Sequence, residues 1–205
     1  ALALPVCAQE ADCTGADCAA EGFSNPGRLW DGSRDSWSAT PDGGRVTVSR
    51  SDGIAGLYIE FDRLPQPWTL NGEIPCGEEG YLHQYVDLSA RLGGPVQSLT
   101  LDFPAGTAIG EIYAFSPGQL PGWVQVWQPP LEEADLMLVS SHSDDEQLFF
   151  AGLLPLYGPG RGLDVQVVYF VQHFQANGQA DNRRPHEQLD GLWTVGMRHY
   201  PIISH

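Results

Sequence analysis

Lysine is absent from this 205-residue chain, and all ten basic residues are arginine. That excludes a Schiff-base lysine, a P-loop lysine and a Ser-Lys dyad within these residues. The arginines face 26 acidic residues, for a formal net charge of −16. So negative a surface repels phosphate backbones and anionic membranes, which removes nucleic acid from the expected partners. No apolar run approaches the ~20 residues needed to cross a bilayer, so no membrane span is expected. A Gly-x-Ser-x-Gly elbow is missing, leaving a serine nucleophile without support. C-x2-C spacing is also missing, and no His accompanies the cysteines, which argues against a zinc knuckle.

There are four cysteines, Cys7, Cys13, Cys18 and Cys76, all in the first half. An even number crowded near a chain start suits disulfides in an oxidising compartment, and three pairings remain open. The first residues, Ala-Leu-Ala-Leu-Pro-Val-Cys-Ala, read like the end of a removed secretory signal. With 24 Gly and 16 Pro, these features predict a secreted or cell-surface protein.

Residues 23–128 carry short strand-like runs, including Arg45–Ser49, Gly56–Phe61, Val96–Phe103 and Glu111–Phe115. Between them lie turn signals such as Pro41-Asp42-Gly43-Gly44, Asn71-Gly72 and Gly93-Gly94-Pro95. Brief strands with Gly/Pro punctuation predict an antiparallel β-sandwich, preceded by a cysteine-containing segment over 1–22. Near Gln128-Pro129-Pro130 the pattern changes to alternating strand and helix. Asp135–Ser140 reads as a strand and Asp144–Leu154 as a helix, with Leu148, Phe149 and Leu153 near one side and Pro155 and Gly158-Pro159-Gly160 as the stop. Leu163–Val171 is continuously apolar, as a strand buried on both faces would be. Asp181 or Asn182 can cap a further helix with Pro185 in its first turn; its apolar stripe is Leu189, Leu192, Trp193 and Met197. Pro201–Ser204 begins another strand. Residues 131–205 thus predict an incomplete α/β, Rossmann-like domain with a parallel sheet. Its unpaired edge and small core call for more of the polypeptide or a second chain, and the first is preferred.

The most informative stretch is Ser141-His142-Ser143-Asp144-Asp145-Glu146, directly after Leu136-Met137-Leu138-Val139. Ionisable groups at the carboxyl end of a strand occupy the edge where open α/β sheets bind ligands. One imidazole and one carboxylate can hold a divalent metal and leave the neighbouring carboxylate free as a base. An acidic helix N-terminus is the simpler alternative; the His and the preceding strand favour metal chemistry over it.

The segment Ala134–Glu146 resembles the opening of the PIG-L (LmbE-like) deacetylases, a hydrophobic strand followed by Ala/Pro-His-Pro-Asp-Asp-Glu and a helix. Ser143 replaces the usual Pro, and Arg184-Pro185-His186-Glu187 matches a later Arg-x-x-Glu of that family. The resemblance covers about 131–205, the first part of such a domain. It implies zinc on His142 and Asp145, Asp144 as general base on a metal-activated water, Arg184 near the substrate, and Glu146 at the loop or helix start. The family's third ligand is a His from a downstream motif with no counterpart here. Zinc would acidify the water and polarise the amide carbonyl.

The first domain resembles discoidin-like, galactose-binding-like sandwiches, through Leu29-Trp30-Asp31-Gly32-Ser33-Arg34-Asp35-Ser36-Trp37-Ser38 and Glu111-Ile112-Tyr113. That likeness implies a structural calcium at Asp31, Ser36 and Glu111, although Ser33 stands where Asp or Asn is common. It also implies a glycan as possible ligand. Trp30, Trp37 and Trp68 can stack on sugars if exposed; core packing is expected for Trp37. His173 should share the carboxyl edge with His142 and line the substrate site, or else lie in solvent. His83 is expected to be structural or exposed, and His186 solvated. The leading expectation is an exported, zinc-dependent hydrolase removing an acetyl group from an N-acetylated sugar or glycoconjugate. The alternative is a non-catalytic, secreted carbohydrate-binding protein with an incomplete deacetylase-like domain.

Overall fold

The computed structural model describes residues 9–171 and 183–203. They fall into two compact units divided between Gln125 and Val126, close to the expected boundary.

The first unit contains β1 (Asp17–Glu21), β2 (Ser38–Ala39), β3 (Gly44–Ile54), β4 (Gly56–Phe61), β5 (Trp68–Leu70), β6 (Ile74–Cys76), β7 (His83–Asp87), helix α1 (Leu88–Leu92), β8 (Val96–Phe103) and β9 (Ala108–Phe115). Two antiparallel sheets result, ordered β1-β3-β8-β5-β6 and β2-β9-β4-β7. The period-2 alternation of Val46 and Val48 with Arg45, Thr47 and Ser49 puts one side of β3 in the core. Phe61 of one sheet meets Phe103 of the other edge to face, with centroids 6.2 Å apart. Trp68 lies 5.3 Å from Phe103 and donates its indole N–H to Gln84 Oε1 at 2.9 Å, tying β5 to β7. Asn71 and Gly72 both have positive φ in the three-residue link between β5 and β6, a backbone region that Asn and Gly tolerate best.

The second unit contains β10 (Leu136–Ser140), α2 (Asp145–Leu148), α3 (Leu153–Tyr157), β11 (Val165–Tyr169), α4 (Arg183–Thr194) and β12 (Ile202–Ile203). Its sheet is parallel, ordered β10-β11-β12, with Leu138 opposite Val167. Leu138, Leu154, Val167, Tyr169, Leu192 and Met197 share one core. Among the described residues this separate three-stranded sheet and its helices are what is formed; a full Rossmann-like architecture is not established by them.

Several expectations require correction. The helix expected over Asp144–Leu154 is two short helices interrupted at 149–152. Pro155 does not stop a helix but sits in the first turn of α3, where a missing N–H costs little because those donors have no intrahelical partner. Leu148 and Phe149 are exposed, and Leu154 is the buried residue instead. Cys13, Cys18 and Cys76 are free thiols. Cys18 and Cys76 lie on opposite edge strands of the five-stranded sheet, four strand spacings or about 19 Å apart, beyond the reach of a disulfide. Cys7, the Asp181/Asn182 cap and the end of the signal-like run lie outside the described residues.

Candidate functional site

In the second unit, β10 delivers the motif to the carboxyl edge of the parallel sheet. Ser140 turns its buried hydroxyl onto the His142 carbonyl at 2.7 Å, which bends the chain out of the strand. The His142 N–H donates to Asp145 Oδ2 at 3.1 Å, while His142 Nδ1 lies 3.5 Å from the same oxygen. Two donors on one tetrahedral zinc, each about 2.1 Å from the ion, stand about 3.4 Å apart, so His142 and Asp145 fit two positions of such an ion. Among the described residues no group of three or more His, Cys, Asp or Glu side chains is poised for a metal, and a third donor has to come from elsewhere. Asp144 sits at the N-cap of α2 without capping it through its side chain. Glu146 is buried beneath the loop, and burial first, then the nearby carboxylates, push its carboxyl above the usual range.

Arg184 pairs with Glu187 at 3.2 Å, so the two residues of the expected Arg-x-x-Glu form an ion pair along α4. His186 is half-buried in the same helix. His173 lies outside the described residues.

In the first unit, Asp31, Ser36 and Glu111 are brought together as expected. Ser36 Oγ donates to Asp31 Oδ2 at 2.7 Å. The Ser33 N–H reaches both Asp31 Oδ1 at 2.8 Å and Glu111 Oε1 at 3.0 Å. Hydrogen bonds from Ser36 and Ser33 hold Asp31 below the ordinary carboxylate range. Burial, then the Asp31 carboxyl, pushes Glu111 up to about 7. Two carboxyls that share a proton in this way are a pair a divalent cation can also satisfy. Calcium therefore fits in charge and donor type, although N–H and O–H donors already occupy part of the oxygens.

The sequence reading missed the neighbours of Glu111. Strand alternation places Tyr58 and Glu60 of β4, His83 and Tyr85 of β7, and Glu111 and Tyr113 of β9 on the outer side of one sheet. Tyr58 faces Tyr85 and Tyr113, and Glu60 faces His83 and Glu111. The Tyr58 hydroxyl meets His83 Nδ1 at 2.9 Å; His83 is fully buried and structural. Arg34 crosses over the sheet to Glu60 at 2.7 Å. The signal was present as three polar-x-aromatic or aromatic-x-polar pairs, Tyr58-x-Glu60, His83-x-Tyr85 and Glu111-x-Tyr113, each at the spacing of one strand face.

Trp37 reverses the expectation of core packing, while the structure settles Trp68, which the sequence left open. Trp68 is buried in the core, whereas Trp37 is 40% exposed. Trp37 directly precedes the two-residue β2 and lies at the end of a loop. The Arg63 guanidinium lies over its ring at 5.3 Å, and Arg28 reaches its carbonyl at 3.4 Å. One guanidinium of a strongly acidic chain thus lies over the indole ring, and a second meets the main chain of the same residue. By contrast, a depression of about 350 Å³ lined by Glu21, Arg45, Asp102 and Phe103 has only a buried aromatic.

No protein-family model matches the chain, and no curated protein matches it. Solved structures of carbohydrate-binding modules are similar over about half of it. A pectin-binding carbohydrate-binding module is 16% identical, covering 51% of this chain and 93% of that one, with a TM-score of 0.38. CpGH89CBM32-6 of Clostridium perfringens is 14% identical over 50% and 94%, with a TM-score of 0.36. A histidine mutant of the lectin-binding domain of lectinolysin, complexed with Lewis b, is 13% identical over 51% and 94%, with a TM-score of 0.38.

Proposed function

We propose that this chain is an exported carbohydrate-binding protein and that its sandwich holds the glycan at Trp37. The exposed indole with Arg63 over its ring, and with Arg28 held beside it on the Trp37 carbonyl, carries this reading. A pyranose presents a C–H face that packs on an aromatic ring, and guanidinium N–H groups donate to ring hydroxyls. Calorimetric titration with plant and animal oligosaccharides tests it. Trp37→Ala should weaken the best ligand at least tenfold, about 1.4 kcal/mol, with the melting temperature kept. Unchanged affinity in that variant would rule this surface out. A structural calcium at Asp31, Ser36 and Glu111 belongs to the same reading, the ion taking the place of the shared proton.

A second reading, that the chain also begins a zinc-dependent N-deacetylase of acetylated sugars, is favoured by the 3.5 Å separation of His142 Nδ1 and Asp145 Oδ2. Bound zinc would supply Lewis acidity and lower the pKa of water. His142 and Asp145 would hold it, with a third ligand supplied from beyond the described residues. Asp144, next in the chain and left free of capping duty, accepts a proton from water and returns it to the departing amine. Arg184 and His173 are the proposed substrate contacts. Asp144→Asn should abolish amine release from N-acetylglucosamine compounds while zinc content stays the same; persistent release would remove Asp144 from the mechanism.

A further inference from the structure

Behind the motif loop, three side chains from three elements bring unpartnered polar atoms into the interior of the second unit. They are Glu146 Oε2 of α2, the Tyr169 hydroxyl at the end of β11, and Gln188 Nε2 of α4. The residues are 1%, 0% and 3% exposed. The Tyr169 hydroxyl lies within interaction range of both Glu146 and Gln188, yet none of the three atoms has a hydrogen bond of good geometry. Buried polar groups in folded proteins are almost always satisfied, and three such atoms gathered around Tyr169 call for a shared partner. A cation fits poorly, because the Gln188 amide N–H group presents a donor to it. A water molecule both donates and accepts, and two to four polar partners are what holds one inside a protein.

We propose that Glu146, Tyr169 and Gln188 enclose a buried site for one water molecule, which clasps the start of α2 to β11 and α4. The loop from Ser141 to Asp144 is fixed at its strand end by Ser140, and the clasp fixes its helix end. Glu146 is thereby a positioning residue for its neighbours Asp144 and Asp145; this last step rests on the second reading above, the water site does not.

A crystal structure of the full chain tests the site directly. One water within hydrogen-bond distance, about 2.7–3.2 Å, of all three atoms is the expected result; a dry gap, or the side chains closed on one another, overturns it. Amide hydrogen exchange tests the clasp. In Tyr169→Phe and Glu146→Ala, amides of 141–148 should exchange at least tenfold faster while those of β4 and β9 keep their rates. Glu146→Gln, which retains a polar arm for the water, should restore wild-type exchange. Wild-type exchange in both truncations, or failure of the Gln variant to rescue, overturns the clasp. Zinc titration of the same proteins separates the two ideas. Glu146→Ala should bind zinc about tenfold more weakly, as loss of a supporting partner does; a wild-type protein that takes no zinc defeats the deacetylase reading and leaves the water site standing.

Discussion

Glu111 shows how one side chain couples the sandwich to its surroundings. Its folded pKa of about 7 lies above the ordinary 4.5, so the folded state holds a proton that the unfolded chain has released. The contribution of Glu111 to stability is therefore greatest below about 4.5 and is lost as pH rises to about 7, the opposite of the usual carboxylate. Glu111→Gln should flatten that fall, worth on the order of 1–3 kcal/mol, in melting curves recorded between pH 4 and 8. Millimolar calcium should raise the wild-type melting temperature at pH 7.5 and leave the variant unmoved; an equal response of both would place the ion elsewhere. Arg50 is the other residue whose loss should be felt. It is buried and donates to Asp52, to the Asp12 carboxylate and carbonyl and to the Ala114 carbonyl. Arg50→Met should cost about 1–3 kcal/mol in urea unfolding, mostly through carbonyls left without donors.

Among the elements, strands were legible and helix breaks were not. Strands such as β4 and β8 follow from alternation and turn chemistry, which are local. The interruption between α2 and α3 depends on burying Leu154 rather than Leu148 and Phe149, a choice made by the sheet beneath. Pro155→Ala is therefore expected to change stability by less than about 1 kcal/mol, since no intrahelical hydrogen bond is gained at that position. A gain of about 3 kcal/mol, as for relief of an interior proline, would mean that α2 and α3 are one helix in solution. The Asn71-Gly72 turn makes the converse case: Gly72→Ala should cost about 1 kcal/mol at its positive φ.

At the scale of the whole molecule, the second unit exposes Met137 and Val139 of β10, Phe170 just beyond β11, and Ile202 of β12. Parallel sheets are ordinarily covered on both faces. This chain should therefore bind a hydrophobic dye and associate with rising concentration, and Met137→Gln with Val139→Thr should reduce both by sedimentation and fluorescence. Equal behaviour of that variant would show that the apolar strip is not what drives association.

By itself the sequence determined the sandwich, the parallel order of strand and helix after it, and the placing of His142 and Asp145 just beyond a strand's carboxyl end. Those follow from periodicity and punctuation, which act over a few residues. Only the tertiary structure decided that Trp37 is exposed and Trp68 buried, that Cys18 and Cys76 stand at opposite sheet edges, and that Glu60, His83 and Glu111 meet on one face. It likewise brought Glu146 and Gln188 within interaction range of Tyr169. Such contacts join residues far apart in the chain, and which sheet or helix covers a given side chain is set by packing, which no local spacing records.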